Sequence, residues 1–148
     1  MRRVIREEVY ETNSSSVHTL IFNPKRMKKN NLTMEDGYVI ADFGEFGTDE
    51  HVYKTQDEKL SYLLTELYYI NGYETNIEEN WDFEHLVKAI QDYDNSVEGI
   101  KVLKTVTPYI DHQSVPEYNQ SNFVNYWDKG SIQSFLFNDD LWIKTDCD

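Results

Sequence analysis

The sequence predicts an α+β protein in which two central helices pack on a mainly antiparallel sheet. Two stretches near the middle of the chain place apolar residues at helical spacing. Shorter stretches on either side alternate or are rich in β-branched residues, which is typical of strands. The helices follow one another instead of alternating with strands, so a parallel α/β architecture is disfavoured. With 148 residues, the chain has the size of one domain, and we expect a single domain over residues 1–148.

The first helix is predicted over residues 56–71. Thr55 and Glu58 have the spacing of a capping box, in which each side chain bonds the backbone N–H of the other residue. Asn71 and Gly72 are typical residues at a helix end. The apolar side of this helix comprises Leu60, Leu63, Leu64, Leu67 and Tyr68.

The second helix is predicted over residues 82–94. Its first turn carries Asp82 and Glu84, where the helix dipole favours negative charge. His85 falls on its polar side, so we expect this side chain to be exposed. The apolar side comprises Phe83, Leu86, Val87, Ile90 and Tyr93. Where the two helices meet the sheet, we expect four residues to be buried: Leu63, Leu67, Leu86 and Ile90.

Strands are predicted around the helices by alternation and by turn residues. The turn at Asp36-Gly37 precedes one of them, and a flexible acidic loop is expected to follow it, from about residue 44. "IQSFLF" (132–137) and "LWIKT" (141–145) flank "NDD" and predict a C-terminal hairpin. The other predicted strands cover residues 3–10, 17–22, 38–43 and 99–106.

The charge of the chain is unevenly distributed along the sequence. Residues 1–34 carry seven lysines and arginines against three glutamates, a net charge of +4. Residues 35–148 carry seven lysines against 24 acids, a net charge of −17. Phosphate neutralisation needs clustered cations, so the acidic part disfavours direct binding of nucleic acid. It suits a partner with a basic surface, although a solvated acidic surface also simply keeps a protein soluble.

Composition also bounds the cellular setting. No apolar run reaches the roughly 18 residues of a membrane span, and the basic N-terminus lacks the apolar segment of a secretory signal. Cys147 is the one cysteine, which fits a reducing cytoplasm. No two of the four histidines have metal-ligand spacing, so we expect no metal and no cofactor. The strongest metal candidate would need Asp111 and His112 to meet His18 in the fold.

The stretch "YETNSSSVHT" (10–19) allows three interpretations. A serine could act as a nucleophile with His18 as its base, but no Gly-x-Ser-x-Gly elbow is present. The backbone N–H groups and hydroxyls could instead bind a phosphate. A hydrogen-bonded turn explains the same residues without any ligand. The ligand-binding interpretation would use Arg6, Glu11, Thr12, Asn13, Ser14, Ser15, Ser16 and His18.

Around the same stretch, "VYETNSSSVHTLIF" resembles the N-terminal signature of a group of small phage, prophage and Firmicute proteins of uncharacterised activity. In that group a basic start leads through an aromatic residue into Glu-Thr-Asn-Ser-Ser-Ser and then a histidine, which correspond here to residues 11–16 and His18. The C-terminal "SFLFNDDLWIKTDCD" resembles the group's tail more loosely, since Asn138 replaces a glycine and Leu141 a serine. Together the two stretches cover about a fifth of the chain. The resemblance implies a mobile-element origin rather than a particular chemistry.

These observations favour a non-enzymatic phage or prophage protein that binds a basic host protein in the host cytoplasm. An acidic surface with interleaved aromatics suits the inhibition of a nucleic-acid-binding defence component, because rows of acids can imitate phosphates. The alternatives are a protein that sequesters or cleaves a nucleotide or phosphoryl ligand at the serine-rich loop, and a phage structural or assembly component. The predicted partner-binding residues are Glu78, Glu79, Trp81, Asp82, Phe83 and Glu84.

Overall fold

The structure is a computed structural model that describes residues 26–70, 76–111 and 127–145. Within these ranges the chain forms three α-helices and several small sheets, which makes it a small α+β fold. The elements in chain order are β1 (Met34–Glu35), β2 (Tyr38–Ala41), β3 (Glu45–Phe46), β4 (His51–Tyr53), α1 (Gln56–Ile70), a short 3-10 turn (Ile77–Glu79), α2 (Trp81–Tyr93), β5 (Gly99–Val102), β6 (Tyr109–Ile110), α3 (Lys129–Phe137) and β7 (Ile143–Thr145).

The strands pair in three sheets, ordered β1-β2-β5, β3-β6 and β4-β7. β1 and β2 are antiparallel, as are β4 and β7, whereas the β2–β5 and β3–β6 pairs are parallel. The expected predominance of antiparallel pairing is therefore not confirmed in the described ranges. Between β2 and β5 the chain passes through α1 and α2, and such a long connection with helices is what parallel strands require.

The β1–β2 hairpin turns at Asp36 and Gly37, as the sequence predicts. Both residues have positive φ, at 54° and 84°. A two-residue turn with this geometry matches the twist of the flanking strands, and Asp-Gly is among its preferred sequences.

Other local expectations need correction. The stretch expected to be a flexible acidic loop contains β3 and β4. The strand expected over residues 99–106 ends at Val102, and Lys104 in the following segment has a positive φ of 63°. The strands predicted at residues 3–10 and 17–22 lie outside the described part of the chain.

Helix α1 begins at the capping box that the sequence predicts. The Glu58 N–H donates to Thr55 Oγ1 at 3.0 Å, and the Thr55 N–H donates to Glu58 Oε1 at 3.1 Å. The four leucines of the apolar side, among them Leu63 and Leu67, are fully buried, and Tyr68 is partly buried. Leu86 and Ile90 of α2 are equally inaccessible, so the predicted burial of all four residues is confirmed.

The predicted C-terminal hairpin is wrong, because its first strand is helix α3. The Asp128 carboxylate caps this helix by accepting the Gly130 N–H at 3.0 Å. Ile132, Phe135 and Leu136 are buried at the i, i+3 and i+4 positions of one helical face. So short an apolar stretch fits both the alternation of a strand and the spacing of a helix. Here tertiary packing favours the helix. The second predicted strand does form, as β7, but it pairs with β4.

A buried lysine of α1 donates hydrogen bonds to backbone oxygens just after the C-terminal end of α3. Lys59 Nζ donates to the backbone oxygens of Asn138 at 3.0 Å and Leu141 at 2.8 Å, and lies 5.7 Å from the centre of the Phe135 ring. Burial lowers the pKa of Lys59 to about 8, although the nearby Asp139 carboxylate partly opposes this shift. The ammonium therefore supplies hydrogen bonds to carbonyls just beyond the helix while it bears a desolvation cost.

Candidate protein-binding surface

The predicted partner-binding residues lie in two consecutive elements, Glu78 and Glu79 in the 3-10 turn and the others in the first turn of α2. Asn80 separates the two elements and caps α2, since its Oδ1 accepts the N–H of Asp82 at 2.7 Å and of Phe83 at 3.4 Å. The cap keeps the first turn of the helix in place and satisfies two of its free N–H groups. The structure thus brings the acidic residues of the turn beside those of the helix.

A cavity of about 290 Å³ opens at this junction. It contains both apolar and carboxylate side chains, and most of the residues predicted from the sequence belong to it. Asp82, which is partly buried, is the predicted residue that does not line it. The lining residues are Glu78, Glu79, Asn80, Trp81, Phe83, Glu84 and Val87.

The two predicted aromatic anchors differ in accessibility. Trp81 is 70% exposed, which is unusual for so large an apolar side chain. Phe83 is 6% exposed and belongs to the hydrophobic core. Phe83 therefore contributes a wall of the cavity but offers little surface to a partner, which corrects its expected role as an anchor. Its place on the apolar side of α2 already indicated burial.

The carboxylates of the cavity differ in their partners. Glu78 Oε1 accepts a hydrogen bond from Lys104 Nζ at 2.8 Å, and Lys104 also bonds Asn76 Oδ1 at 3.3 Å. Glu79 and Glu84 are exposed and form no ion pair with any described residue. The rim of the cavity therefore retains two carboxylates that no lysine or arginine of the described chain neutralises.

A second exposed tryptophan lies near the same helix. The sequence did not indicate that this residue, Trp127, contacts α2. Trp127 is 70% exposed, and its ring meets His85 edge-on with centroids 4.2 Å apart. His85 lies about one turn beyond Trp81, on the same side of α2. It is half-buried, not fully exposed as expected, and its buried Nδ1 has no hydrogen-bond partner among the described residues. The contact joins residues 42 positions apart, so no local pattern could have predicted it.

The serine-rich loop lies outside the described residues. Arg6, His18 and the residues from Glu11 to Ser16 all precede the first described residue, Arg26. The ligand-binding interpretation therefore stays a prediction. His112, which the metal candidate required together with His18, also lies outside the described ranges.

One carboxylate accepts several hydrogen bonds at the end of β2 and has a structural role. Asp42 follows β2 and accepts the backbone N–H groups of Phe43, Thr105 and Val106, and the Thr105 hydroxyl. Burial raises the pKa of Asp42, but the hydrogen bonds from Thr105 and its neighbours outweigh that effect and lower it. Asp42 thus joins the ends of β2 and β5 rather than forming a reaction centre.

The described ranges contain neither a metal-binding cluster nor a membrane-spanning helix. No group of three or more histidine, cysteine, aspartate or glutamate side chains there could hold a metal ion. None of the helices in those ranges combines the length and the apolar character needed to cross a membrane.

Comparison of the chain with protein-family models, with curated proteins and with solved structures finds no match.

Proposed function

We propose that this protein binds a partner protein with a basic surface, and that it does so without catalysis. The binding region is the acidic aromatic surface, defined here as Glu78, Glu79, Trp81, Asp82 and Glu84. The observation that carries the proposal is Trp81, which is 70% exposed beside a cavity with an apolar wall and a carboxylate rim.

The energetic roles of the aromatic and acidic groups differ. An exposed tryptophan presents a large apolar area to water. Burial of that area against a partner is a common source of binding energy. Carboxylates on the rim act at longer range and mainly accelerate the encounter with a basic partner. We therefore assign the lifetime of the complex mainly to Trp81 and its rate of formation mainly to the acids.

The biological setting follows from the N-terminal resemblance to phage and prophage proteins. We propose that the partner is a host protein in the host cytoplasm and that the complex inhibits a nucleic-acid-binding defence component. Such components have basic clefts that neutralise phosphates, and acids placed on and beside α2 suit these clefts. The net charge of −13 argues against direct binding of nucleic acid by this chain.

Affinity capture from a bacterial lysate tests this function. The immobilised chain should retain a basic protein at low salt and release much of it at high salt, because rim charges are screened. Trp81→Ala should retain about tenfold less of that protein, whereas Tyr109→Ala should retain the native amount. Tyr109 is a matched control because it is an aromatic residue that is 43% exposed and does not line the cavity. Equal retention by Trp81→Ala and the native chain would contradict the proposal.

A further inference from the structure

We propose that the cavity at the start of α2 receives an arginine side chain of the partner. The inference rests on the proposed function and assigns the chemistry that the acidic aromatic surface recognises. It combines the size of the cavity, its apolar wall, two carboxylates that form no ion pair with a described residue, and an exposed indole.

The size of the cavity suits one amino-acid side chain. The cavity volume of about 290 Å³ lies at the small end of the roughly 300–1,000 Å³ that ligand pockets occupy. A long side chain inserted from a partner surface would fill much of the space.

The walls of the cavity match the two parts of an arginine side chain. Phe83 and Val87 lie on the same side of α2, one turn apart, and provide apolar contact for a methylene stem. The Trp81 indole lies at the edge and can stack on a planar guanidinium. Glu79 and Glu84 can accept its N–H groups, and no ion pair with a described residue competes for them.

The position beside a helix N-terminus does not prevent cation binding. The helix dipole places roughly half a positive charge there. Lys104 donates to Glu78 at 2.8 Å and offsets its charge, but Glu79 and Glu84 still carry more negative charge than the dipole opposes. The Asn80 cap also occupies N–H groups of the first turn. Electrostatics therefore favours a cationic occupant.

Arginine fits this cavity better than lysine. Its guanidinium is planar, stacks on aromatic rings and bonds carboxylates through two N–H groups at once. It is also more weakly hydrated than an ammonium group, so its transfer into a partly apolar cavity costs less. Lysine would offer charge without the stacking or the paired geometry.

Titration with N-acetyl-arginine amide, followed by two-dimensional NMR, tests the inference. Saturable shifts are expected at the backbone amides of Glu84 and Val87 and at the Trp81 indole N–H. N-acetyl-lysine amide should bind at least about threefold more weakly. N-acetyl-citrulline amide, which has nearly the same shape without the charge, should give no saturable shift.

Matched variants locate the binding. Trp81→Ala and Glu84→Gln should each weaken arginine binding by at least about threefold, the former through lost stacking and the latter through lost charge. Glu45→Gln removes an exposed carboxylate that does not line the cavity and should leave binding unchanged. Equal binding of arginine and citrulline, or shifts unaffected by both cavity substitutions, would overturn the inference.

This result is separable from the test of the proposed function. Loss of the captured protein in Trp81→Ala, combined with no arginine binding, would refute the arginine pocket and leave the protein-binding function supported. Arginine binding at the cavity, combined with unchanged capture by Trp81→Ala, would support the pocket and refute that function.

Discussion

Replacing Leu67 by alanine is expected to lower the free energy of unfolding by about 2–5 kcal/mol. Leu67 lies in α1 and is completely buried, as are its neighbours Leu63 and Leu64. Truncation removes apolar contacts and leaves a space that the packed core can fill only in part. Because small domains are only marginally stable, a loss of this size would be a large fraction of the total stability.

Urea unfolding of the native chain and of Leu67→Ala measures this effect. Leu103→Ala serves as the matched control, because Leu103 is 50% exposed and its truncation should change stability by less than about 0.5 kcal/mol. The slope of free energy against urea should stay the same in all three proteins. Equal midpoints for the two variants would show that α1 does not pack in the core as described.

The protein is expected to become more stable between pH 7.5 and pH 9.5 because of Lys59. Burial lowers the pKa of this lysine to about 8 in the folded chain, whereas an unfolded lysine titrates near about 10.4. Between these values the unfolded state holds a proton that the folded state has released, so stability rises with pH. Below about pH 8 both states are protonated, and the desolvation cost is present in full.

The size of the effect follows from the difference in pKa. The folded and unfolded pKa values differ by about 2.4, which corresponds to about 3 kcal/mol when the whole window is crossed, and by pH 9.5 about 2 kcal/mol should appear. The neutral amine keeps two N–H donors, so the carbonyls of Asn138 and Leu141 can remain bonded. Above about pH 10 an opposing effect begins, because burial raises the pKa of Tyr62 well above its usual value.

Urea unfolding at a series of pH values checks this expectation. Lys59→Met should lack the rise that the native chain shows, whereas Lys88→Met, at an exposed position of α2, should keep it. If Lys59→Met does not fold, NMR titration of the Lys59 side chain in the native protein replaces it, with a midpoint near 8 expected. A midpoint near 10.5, or the same rise in both variants, would contradict the assignment.

Local sequence patterns correctly predicted the two central helices, because the residues that specify these helices lie within or next to them in the sequence. The helix predicted over residues 56–71 is observed at Gln56–Ile70, and the one predicted over 82–94 is observed at Trp81–Tyr93. Both have long apolar periods and capping residues, which act within a few positions of the chain. The turn at Asp36-Gly37 was predictable for the same reason.

Features that depend on distant contacts could not be predicted in this way. The parallel pairing of β2 with β5 places Val39 opposite Ile100 across both helices, and neither strand encodes that choice locally. The stretch from Ile132 to Phe137 is short enough to fit a strand, and its helical form follows from burial on one face.

The candidate surface was partly predictable. Acidic residues around an aromatic pair suggested the region, but only the structure distinguishes the exposed Trp81 from the buried Phe83. The spacing of apolar residues in α2 already placed Phe83 on the side of the helix that faces the core. The neighbouring contact between His85 and Trp127 depends on how the chain folds back on itself.

Association kinetics of one variant most directly test the central proposal, which is that the acidic aromatic surface binds a basic partner. The variant replaces Glu78, Glu79 and Glu84 by glutamine and Asp82 by asparagine, and it is compared with the native chain against the captured protein over a range of salt concentrations. We expect at least about tenfold slower association at low salt, a weaker dependence on salt, and a nearly unchanged dissociation rate. Native affinity with the native salt response would contradict the proposal and would leave these acids as an ordinary solvated surface.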